Sequence, residues 1–507
     1  MPRPANPALR NDILPVALRL IEEKGAVAVA MRDGASAVHY KEDFIMSHPF
    51  PNDPFLSGNY APWPMEGEIH DLVVEGEIPR ELSGTLYRNG PNPQFAPYGE
   101  YHWFDGDGMI HAFAFADGKA HYRNRWVRTQ KFQREREVGT ALFGGLADFM
   151  HNDPRAEGIF PNAANTNILW HGGKLLALWE AGPPHLLDPH TLETLGPYDF
   201  TGKLLGPMTA HPKIDPETGE LLFFGYSPFP PYLRYYVVAA DGQLSHSEEI
   251  DVPFPTMMHD FMVTRDYVMF LVCPATFRFE NFTSGKPIRW EPELGTRIGL
   301  MPRTGSKVAL RWFEADPCYV FHPMNAYAAQ GQVIADVCRF PRLPLFDGAE
   351  STEWQESGAR LTRWTLDLAN GSLKETRLDE HPAEFPRLDE RFAGLAYRYG
   401  YAGGREPGAG DGGVFNAIVR YDWHSGRRES HVLGASSFTS EPVFVPRSPT
   451  SPEGEGFLLA VVYRQEEHRS DLLVLDAENV TTRPLATVKL PHRIPYGFHG
   501  NWGQGVV

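Results

Sequence analysis

From about Phe55 onward, short apolar runs are separated by clusters of Gly, Pro, Asn and Asp, which predicts β-strands joined by tight turns. The clearest runs are KLLALWE, ELLFFGY, YVMFLVC, QVIADVC, RLTRWTLDL, FLLAVVY and DLLVLDA. Long helical patterns do not alternate with these runs. We therefore predict a single all-β domain over residues 55–507, preceded by a partly helical N-terminal extension, residues 1–54.

The turns between the runs also repeat. A strand, an Asp-containing turn and a second strand recur in LLDPHTLETLG, KIDPETGELLFFG, TLDLANGSLKETRL and VLDAENVTTRPLATVKL. Asp, Asn and Gly favour such turns because their side chains bond the local backbone or tolerate positive φ. Repeated hairpins without a dividing linker predict a β-propeller. Residues 131–152, 228–236 and 385–406 are predicted to be helical or looped insertions that cap one face.

Composition and charge limit the possible partners and the compartment. The 507 residues are 42% hydrophobic and 22% charged, which is typical of a globular protein with a large core. A net charge of −17 argues against a nucleic-acid partner and against docking on anionic lipid. Cys273, Cys318 and Cys338 form neither a disulfide framework nor a zinc-finger spacing. Reduced thiols in a cytoplasmic protein are the simplest interpretation.

Membrane association is predicted to be weak or absent. No run of 18 or more apolar residues occurs, and the first residues lack the features of a signal peptide. Residues 13–31 form a helix-like stretch that could pack on the body, tether a partner or touch a membrane surface. Packing is the favoured interpretation, and peripheral membrane contact stays open. The sequence makes no prediction of oligomeric state.

Four histidines stand in similar settings, each directly after an apolar or small residue. They are His211 in TAHP, His259 in MMHDF, His322 in YVFHPMNAY and His499 in RIPYGFHGNW. Because the inner strands of a propeller surround one axis, residues from different blades meet there. Four imidazoles brought together suit a transition metal such as iron. The chain has 20 histidines, so the alternative is that these four bind nothing.

Longer motifs resemble those of a known family, the carotenoid cleavage oxygenases, which includes lignostilbene dioxygenases and isoeugenol-cleaving enzymes. The similarity covers nearly all of residues 55–502, and the matching motifs are GTLYRNGPNP, HWFDGDGMIH, YRNRWVRT, AHPKIDPETGEL, MMHDF, FHPMNAY, EFPRLD, SEPVFVPR and GFHGNW. The resemblance implies a seven-bladed propeller that holds Fe(II) with His211, His259, His322 and His499. It also implies cleavage of a conjugated C=C bond by O2 to give two carbonyl products.

The same resemblance places carboxylates behind the metal ligands, at Glu180, Glu384 and Glu441. A metal-bound imidazole donates its other N–H, and a carboxylate acceptor fixes its tautomer and orientation. The alternative is that each is a surface charge, which fits Glu384 and Glu441 poorly because they stand in apolar segments beside Pro and Phe. Asp105 and Asp107 in FDGDGMIH lack the other ligands of a calcium loop and are interpreted as part of a structural turn.

The substrate prediction depends on two further residues. Tyr101 and Lys131 stand where the stilbene-cleaving branch of the family places a Tyr–Lys pair that binds a phenol, so a phenolic alkene such as a hydroxystilbene is favoured. An exposed surface lysine at position 131 is the alternative, and an apocarotenoid is the alternative substrate. A propeller that only binds apolar ligands, or a hydrolase with calcium on the axis, represents a different functional class. Metal content separates these classes.

Overall fold

The computed structural model describes residues 38–40, 49–148, 151–282, 287–304, 307–345, 358–408 and 414–506. The helix predicted over residues 13–31 lies outside these ranges. Among the described residues, two α-helices occur, α1 (Gln130–Val138) and the single turn α2 (Phe279–Phe282). Neither is long and apolar enough to cross a membrane. Short 3₁₀-helices cover Pro54–Leu56, Gly58–Tyr60, Trp103–Asp105, Pro154–Ala156, Pro292–Leu294, Lys307–Ala309 and Glu390–Phe392.

Strands are the main regular structure of the described chain. The first half contains β1 (Val38–Tyr40), β2 (Gly67–Ile69), β3 (Val73–Gly76), β4 (Gly84–Pro91), β5 (Gly108–Ala116), β6 (Lys119–Trp126), β7 (Asn167–His171), β8 (Lys174–Leu178), β9 (His185–Leu187), β10 (Thr194–Pro197), β11 (Lys213–Ile214), β12 (Leu221–Tyr226), β13 (Leu233–Val238), β14 (Leu244–Ile250), β15 (Phe261–Val263), β16 (Tyr267–Val272) and β17 (Ala275–Phe277). The second half contains β18 (Ile288–Trp290), β19 (Thr296–Pro302), β20 (Arg311–Ala315), β21 (Tyr319–Ala329), β22 (Gln332–Phe340), β23 (Arg360–Asp367), β24 (Leu373–Leu388), β25 (Tyr399–Gly404), β26 (Ala417–Asp422), β27 (Arg427–Val432), β28 (Ser437–Thr439), β29 (Val443–Pro446), β30 (Gly456–Arg464), β31 (Arg469–Asp476), β32 (Ala486–Lys489) and β33 (Gly500–Gln504).

The strands form seven antiparallel blades, as predicted. In chain order the blades are β33-β4-β5-β6-β2-β1, β7-β8-β9-β10, β11-β12-β13-β14, β15-β16-β19-β20, β21-β22-β23-β24, β24-β25-β26-β27, and β28 with β29 followed by β30-β31-β32-β3. The long strand β24 serves two blades, because it pairs with β23 through Leu373–Pro382 and with β25 through Ala383–Leu388. Strands β17 and β18 form a separate hairpin.

Both ends of the propeller chain close the ring. The C-terminal strand β33 pairs with β4 in the first blade, and the early strand β3 pairs with β32 in the last blade. The segment before β33 is also tied to the body: the N–H of Phe498 donates to the carbonyl of Asn89, and the N–H of His499 donates to that of Thr166. The chain end is therefore a fixed part of the fold.

Local sequence patterns account for most of the strands and turns. All seven apolar runs that predict strands coincide with strands, from β8 to β31. In the four repeated turns, Asp188, Asp215, Asp367 and Asp476 accept the N–H of the residue two positions later over 2.7–3.0 Å. This is the side-chain-to-backbone bond that favours Asp in tight turns.

Two of the three predicted insertions are only partly correct. The described residues of 131–152 begin within α1 and continue as a loop, as predicted. Residues 228–232 are also a loop, but residues 233–236 belong to β13. Residues 385–406 contain the end of β24 and all of β25, with a looped segment between them. Proline and glycine made these segments resemble loops. In β25 the glycines have a packing reason instead, because a Cβ on Gly403 would lie 3.0 Å from the ring of Phe415.

Apolar side chains pack between neighbouring blades and hold the ring rigid. Phe224 on β12 meets Phe261 on β15 with ring centroids 5.2 Å apart, and Tyr235 meets Phe270 at 6.0 Å. All four side chains are fully buried. Burying one large apolar side chain contributes about 1.5–3 kcal/mol, so each contact between blades resists movement of the inner strands.

Candidate metal centre and adjoining cavity

The four histidines lie on or beside the edge strands of four different blades. His211 and His259 lie two residues before β11 and β15, His499 directly precedes β33, and His322 is within β21. Each of these strands is at one edge of its sheet. Because the four side chains converge, this edge of each blade faces the propeller axis. The fold thus brings together residues that are up to 288 positions apart, the separation of His211 and His499 (499 − 211).

The geometry of this histidine cluster fits a bound metal. One nitrogen from each ring lies within 4.8 Å of the others. The Nε2 atoms of His211 and His259 are 3.0 Å apart. Two nitrogens that each lie about 2.1 Å from a metal, with a right angle between their bonds to it, are about 3.0 Å apart. His322 Nε2 is buried and has no hydrogen-bond partner, so it is available for an ion.

Three of the four imidazoles are backed by the predicted carboxylates. His259 Nδ1 lies 2.6 Å from Glu180 Oε2, His322 Nδ1 lies 2.6 Å from Glu384 Oε2, and His499 Nδ1 lies 3.0 Å from Glu441 Oε1. Each carboxylate accepts a hydrogen bond from Nδ1–H, which keeps the proton on Nδ1 and leaves the lone pair of Nε2 directed to the cluster. The role of the three glutamates at a metal stays a prediction, whereas their contacts with the histidines are those expected of it.

His211 has a different environment, which the sequence did not predict. Its Nδ1 lies 3.7 Å from Asp260 Oδ2, too far for a direct hydrogen bond. Asp260 is buried and pairs with Lys213, whose Nζ lies 2.8 Å from Oδ1. Asp260 is visible in MMHDF, where it follows His259, but nothing in that motif shows that its carboxylate lies beside His211 of the neighbouring blade.

Burial affects the pKa of three of the cluster histidines. It lowers the pKa of His211, His322 and His499, and neighbouring imidazoles lower that of His211 and His322 further. The neutral imidazole is the form that binds a metal. Burial also raises the pKa of Glu384. Glu441 behaves differently: burial alone would raise its pKa, but Arg387 and His499 outweigh burial and lower it.

A large cavity adjoins the histidine cluster. Its volume is about 1170 Å³, and His259, His322 and His499 form part of its wall. Its wall contains many aromatic side chains, including Trp179, Tyr226, Phe321, Phe340, Phe385 and Phe498. Phe321 packs on His259 with ring centroids 5.1 Å apart, and Phe385 packs on His322 at 5.4 Å. Such a wall excludes water and suits a flat conjugated molecule.

Tyr101 and Lys131 both line this cavity. The interpretation of Lys131 as a surface residue is wrong, because its side chain is only 11% exposed. Its Nζ lies 2.7 Å from Asp107 Oδ1 and 3.0 Å from Glu135 Oε2. Burial opposes the charge of Lys131, but the two carboxylates raise its pKa above the usual value. Two of the three ammonium protons are thereby used, and one is left for a ligand.

Tyr101 has an un-ionised hydroxyl. Burial, together with the nearby Asp105 and Asp107, raises its pKa well above the usual value. A neutral phenol can both donate and accept a hydrogen bond. Tyr101 and Lys131 are thus two polar groups in the cavity wall, and their binding of a hydroxylated ligand stays a prediction.

The FDGDG turn shapes the cavity wall and contributes nothing to the histidine cluster. Asp105 accepts the backbone N–H groups of His102 and Leu146 over 2.9 and 2.8 Å, and Asp107 holds Lys131. Burial raises the pKa of Asp105 to about 7. Gly106 is required between them, since a Cβ there would lie 2.8 Å from Asn92 N. The structural interpretation of this turn therefore agrees with the contacts.

Histidines from four blades of a seven-bladed propeller, three of them backed by carboxylates, form a cluster that fits a four-histidine metal centre. The family model described as retinal pigment epithelial membrane protein (RPE65) matches residues 60–504. The chain belongs to this family, which includes the carotenoid oxygenases.

Three similar proteins support this assignment over nearly the whole chain. Isoeugenol monooxygenase of Pseudomonas nitroreducens is 41% identical over 89% of this chain and 98% of its own length. Carotenoid 9,10(9',10')-cleavage dioxygenase 1 of Arabidopsis thaliana is 35% identical over 88% of this chain and 89% of its own. The crystal structure of Pseudomonas brassicacearum lignostilbene dioxygenase, 34% identical, superposes with a TM-score of 0.86 over 90% of this chain and 100% of its own.

Changing each supporting glutamate to Gln is expected to weaken metal binding. In Glu180→Gln, Glu384→Gln and Glu441→Gln the imidazole loses a charged acceptor, which typically costs about 10–100-fold in metal affinity or activity. Fe(II) affinity and kcat measured on each purified variant check this. Glu66→Gln is the matched control, because Glu66 is buried and bonded to Arg128 but belongs to neither the cluster nor the cavity wall. Wild-type affinity and kcat in all three variants would refute the assignment.

Proposed function

We propose that this chain is an iron-dependent oxygenase that uses O2 to cleave the conjugated C=C bond of a phenolic alkene into two carbonyl products. The observation that carries the proposal is the opening of a four-histidine cluster onto an aromatic cavity that also contains Lys131 and Tyr101. Fe(II) bound by His211, His259, His322 and His499 would supply the redox chemistry. Neutral histidines on all four positions suit iron.

The protein's own residues supply position and a dry environment. Glu180, Glu384 and Glu441 keep the Nδ1 protons of three imidazoles on the side away from the centre, so the rings keep one tautomer and one orientation. The rings of Phe321 and Phe385 pack on His259 and His322, which excludes water beside the centre and leaves a flat surface for an alkene.

Lys131 and Tyr101 are proposed to hold the phenolic hydroxyl. Asp107 and Glu135 keep Lys131 charged and oriented, and its third N–H is directed to the ligand. Because two carboxylates outnumber the single ammonium, the pocket binds the hydroxyl by hydrogen bonds and not by net positive charge. The similarity to proteins named isoeugenol monooxygenase and lignostilbene dioxygenase supports this choice of substrate class.

An apocarotenoid is the second candidate substrate, and the size of the cavity favours it. About 1170 Å³ exceeds the volume of roughly 300–1000 Å³ that is usual for pockets that bind drug-sized ligands. A long polyene would fill such a space better than a stilbene. The similarity to a carotenoid cleavage dioxygenase also supports this candidate. A propeller that only binds apolar ligands is disfavoured, since it has no use for glutamates behind its histidines.

The test compares four alkenes with the same Fe(II)-loaded protein: isoeugenol, 4-hydroxystilbene, unsubstituted stilbene and an apocarotenal. We expect 4-hydroxybenzaldehyde and benzaldehyde from 4-hydroxystilbene, and much slower cleavage of unsubstituted stilbene. Cleavage of the apocarotenal alone would favour the second candidate. Protein that binds iron but yields no carbonyl product from any of the four would contradict the proposal.

A further inference from the structure

An irregularity in β24 places two functional side chains on the same side of the sheet. In a regular strand, residues three positions apart face opposite sides. In β24 the partners are Glu384↔Gly403 and Arg387↔Tyr401, so three steps on β24 match two steps on β25. The extra residue is a β-bulge, and Phe385 within it has φ +53°, a strained value for a residue other than glycine. Glu384 and Arg387 therefore share one side.

From that side, the two residues reach different ligands of the histidine cluster. Glu384 bonds His322. Arg387 Nη1 lies 3.1 Å from Glu441 Oε2, and the other oxygen of Glu441 contacts His499 Nδ1. A single strand thus supports two of the four histidines, one directly and one through a second carboxylate.

Arg387 also holds the backbone that carries His499. Its Nη1 donates to the carbonyl of Gly500 over 2.8 Å, and its Nη2 donates to Asn501 Oδ1 over 3.0 Å. The N–H of Gly500 donates in turn to Glu441 Oε2 over 3.0 Å. The guanidinium therefore fixes both the carboxylate behind His499 and the residue that follows His499.

The other two glutamates have no comparable support among the described contacts. The second oxygen of Glu180 accepts the hydroxyl of Tyr226 over 2.5 Å, and Glu384 Oε1 is buried without a hydrogen-bond partner. Only Glu441 contacts a guanidinium. Its side chain and that of His499 are each 5% exposed, and that of Arg387 is 11% exposed. A buried carboxylate without its cation is costly, so the position of Glu441 depends on Arg387.

We propose that Arg387 is a positioning residue for the metal centre, which acts through Glu441 to fix the orientation of His499. The bulge at Phe385 makes this possible, because a regular strand would direct Arg387 away from Glu441. The inference rests on the proposed metal site but does not depend on which alkene is the substrate.

The competing explanation is that Arg387 only tethers β24 to β33. Arg391 provides the matched control for such a tether. It pairs with Asp389 and donates to the carbonyls of Ser448 and Ser451, but touches none of the four histidines or their three glutamates. Arg391→Gln therefore measures what the loss of an arginine tether costs in this part of the fold.

The experiment measures metal binding, and activity is not needed. Fe(II) affinity is measured without oxygen, the visible absorption of bound Co(II) reports the geometry of the ligands, and thermal unfolding of the metal-free protein reports stability. Arg387→Gln is expected to weaken Fe(II) binding about tenfold and to shift the Co(II) spectrum. Tenfold is the lower end of the range of about 10–100-fold that is typical when the partner of a metal ligand is lost. Arg391→Gln is expected to change neither the affinity nor the spectrum. Arg387→Lys keeps the charge but loses the several hydrogen bonds that the planar guanidinium donates. A smaller loss of Fe(II) affinity and a smaller change of the Co(II) spectrum are therefore expected.

A double-mutant cycle identifies the route of the effect. If Arg387 acts through Glu441, Arg387→Gln adds little to the loss of affinity already caused by Glu441→Gln. Additive losses would overturn the proposal. So would a lower melting temperature in Arg387→Gln with wild-type affinity and Co(II) spectrum. If Arg387→Gln does not fold, wild-type affinity and spectrum in Arg387→Lys would overturn it. Wild-type protein that binds neither metal would refute the metal site itself, and the inference with it.

Discussion

Replacing His322 with Ala is expected to remove the metal and abolish turnover. The change deletes one of four ligands and leaves Glu384, which is buried, without the imidazole it now contacts. Loss of a supporting carboxylate alone costs up to about 100-fold in affinity, so loss of a ligand should cost more than about 100-fold. Iron per chain after equilibration with Fe(II), and carbonyl product per chain, measure the two effects. The same result is expected for His211→Ala, His259→Ala and His499→Ala.

His185→Ala is the control for this series. His185 is also a buried histidine, but it lies on β9 and belongs to neither the histidine cluster nor the cavity wall. We expect it to keep wild-type iron content and turnover, with any loss confined to thermal stability. If two of the four cluster variants kept full iron content and activity, the site would be misassigned.

Lys131→Met is expected to slow the cleavage of a 4-hydroxystilbene about tenfold to hundredfold. A hydrogen bond to a charged partner is worth about 1.5–3 kcal/mol, which corresponds to that range. Cleavage of an apocarotenal with a hydrocarbon end should stay nearly unchanged, because that end has nothing for Lys131 to bind. The ratio of kcat/KM for the two substrates is the measurement, since damage to the cavity would lower both values.

Two further variants separate the lost contact from its side effects. Lys131→Met leaves Asp107 and Glu135 buried without their cation. The double variant Lys131→Met with Glu135→Gln removes one positive and one negative charge, so the net charge of the site is unchanged. Tyr101→Phe removes only a hydroxyl and should reduce cleavage of the phenolic substrate alone. If the wild type cleaved apocarotenals but not 4-hydroxystilbenes, and Lys131→Met changed nothing, the phenolic proposal would be wrong.

The features that the sequence predicted correctly depend on local chemistry. Apolar runs such as FLLAVVY form strands because of their own composition. The side chains of Asp215 and Asp367 accept the backbone N–H of the residue two positions later. The histidines were recognisable because each stands in a long motif. Their convergence followed from the propeller itself, which brings its inner strands to one axis.

The features that the sequence did not predict depend on partners far away in the chain. Helix α1, QKFQREREV, is so polar that Lys131 resembles a solvated residue, and its buried ion pair with Asp107 joins it to a residue 24 positions away. The bulge at Phe385 depends on how β24 pairs with β25, and this pairing cannot be predicted from the sequence around Phe385 alone. The same holds for Asp260, whose position beside His211 requires two blades to be in contact.

The most direct test is a titration of metal-free wild-type protein with Fe(II), in which bound iron and the aldehydes formed from 4-hydroxystilbene under O2 are measured on the same samples. The four-histidine site predicts that both quantities rise together and reach their maximum at about one iron per chain. Full cleavage by metal-free protein, or one tightly bound iron per chain without any aldehyde, would contradict it.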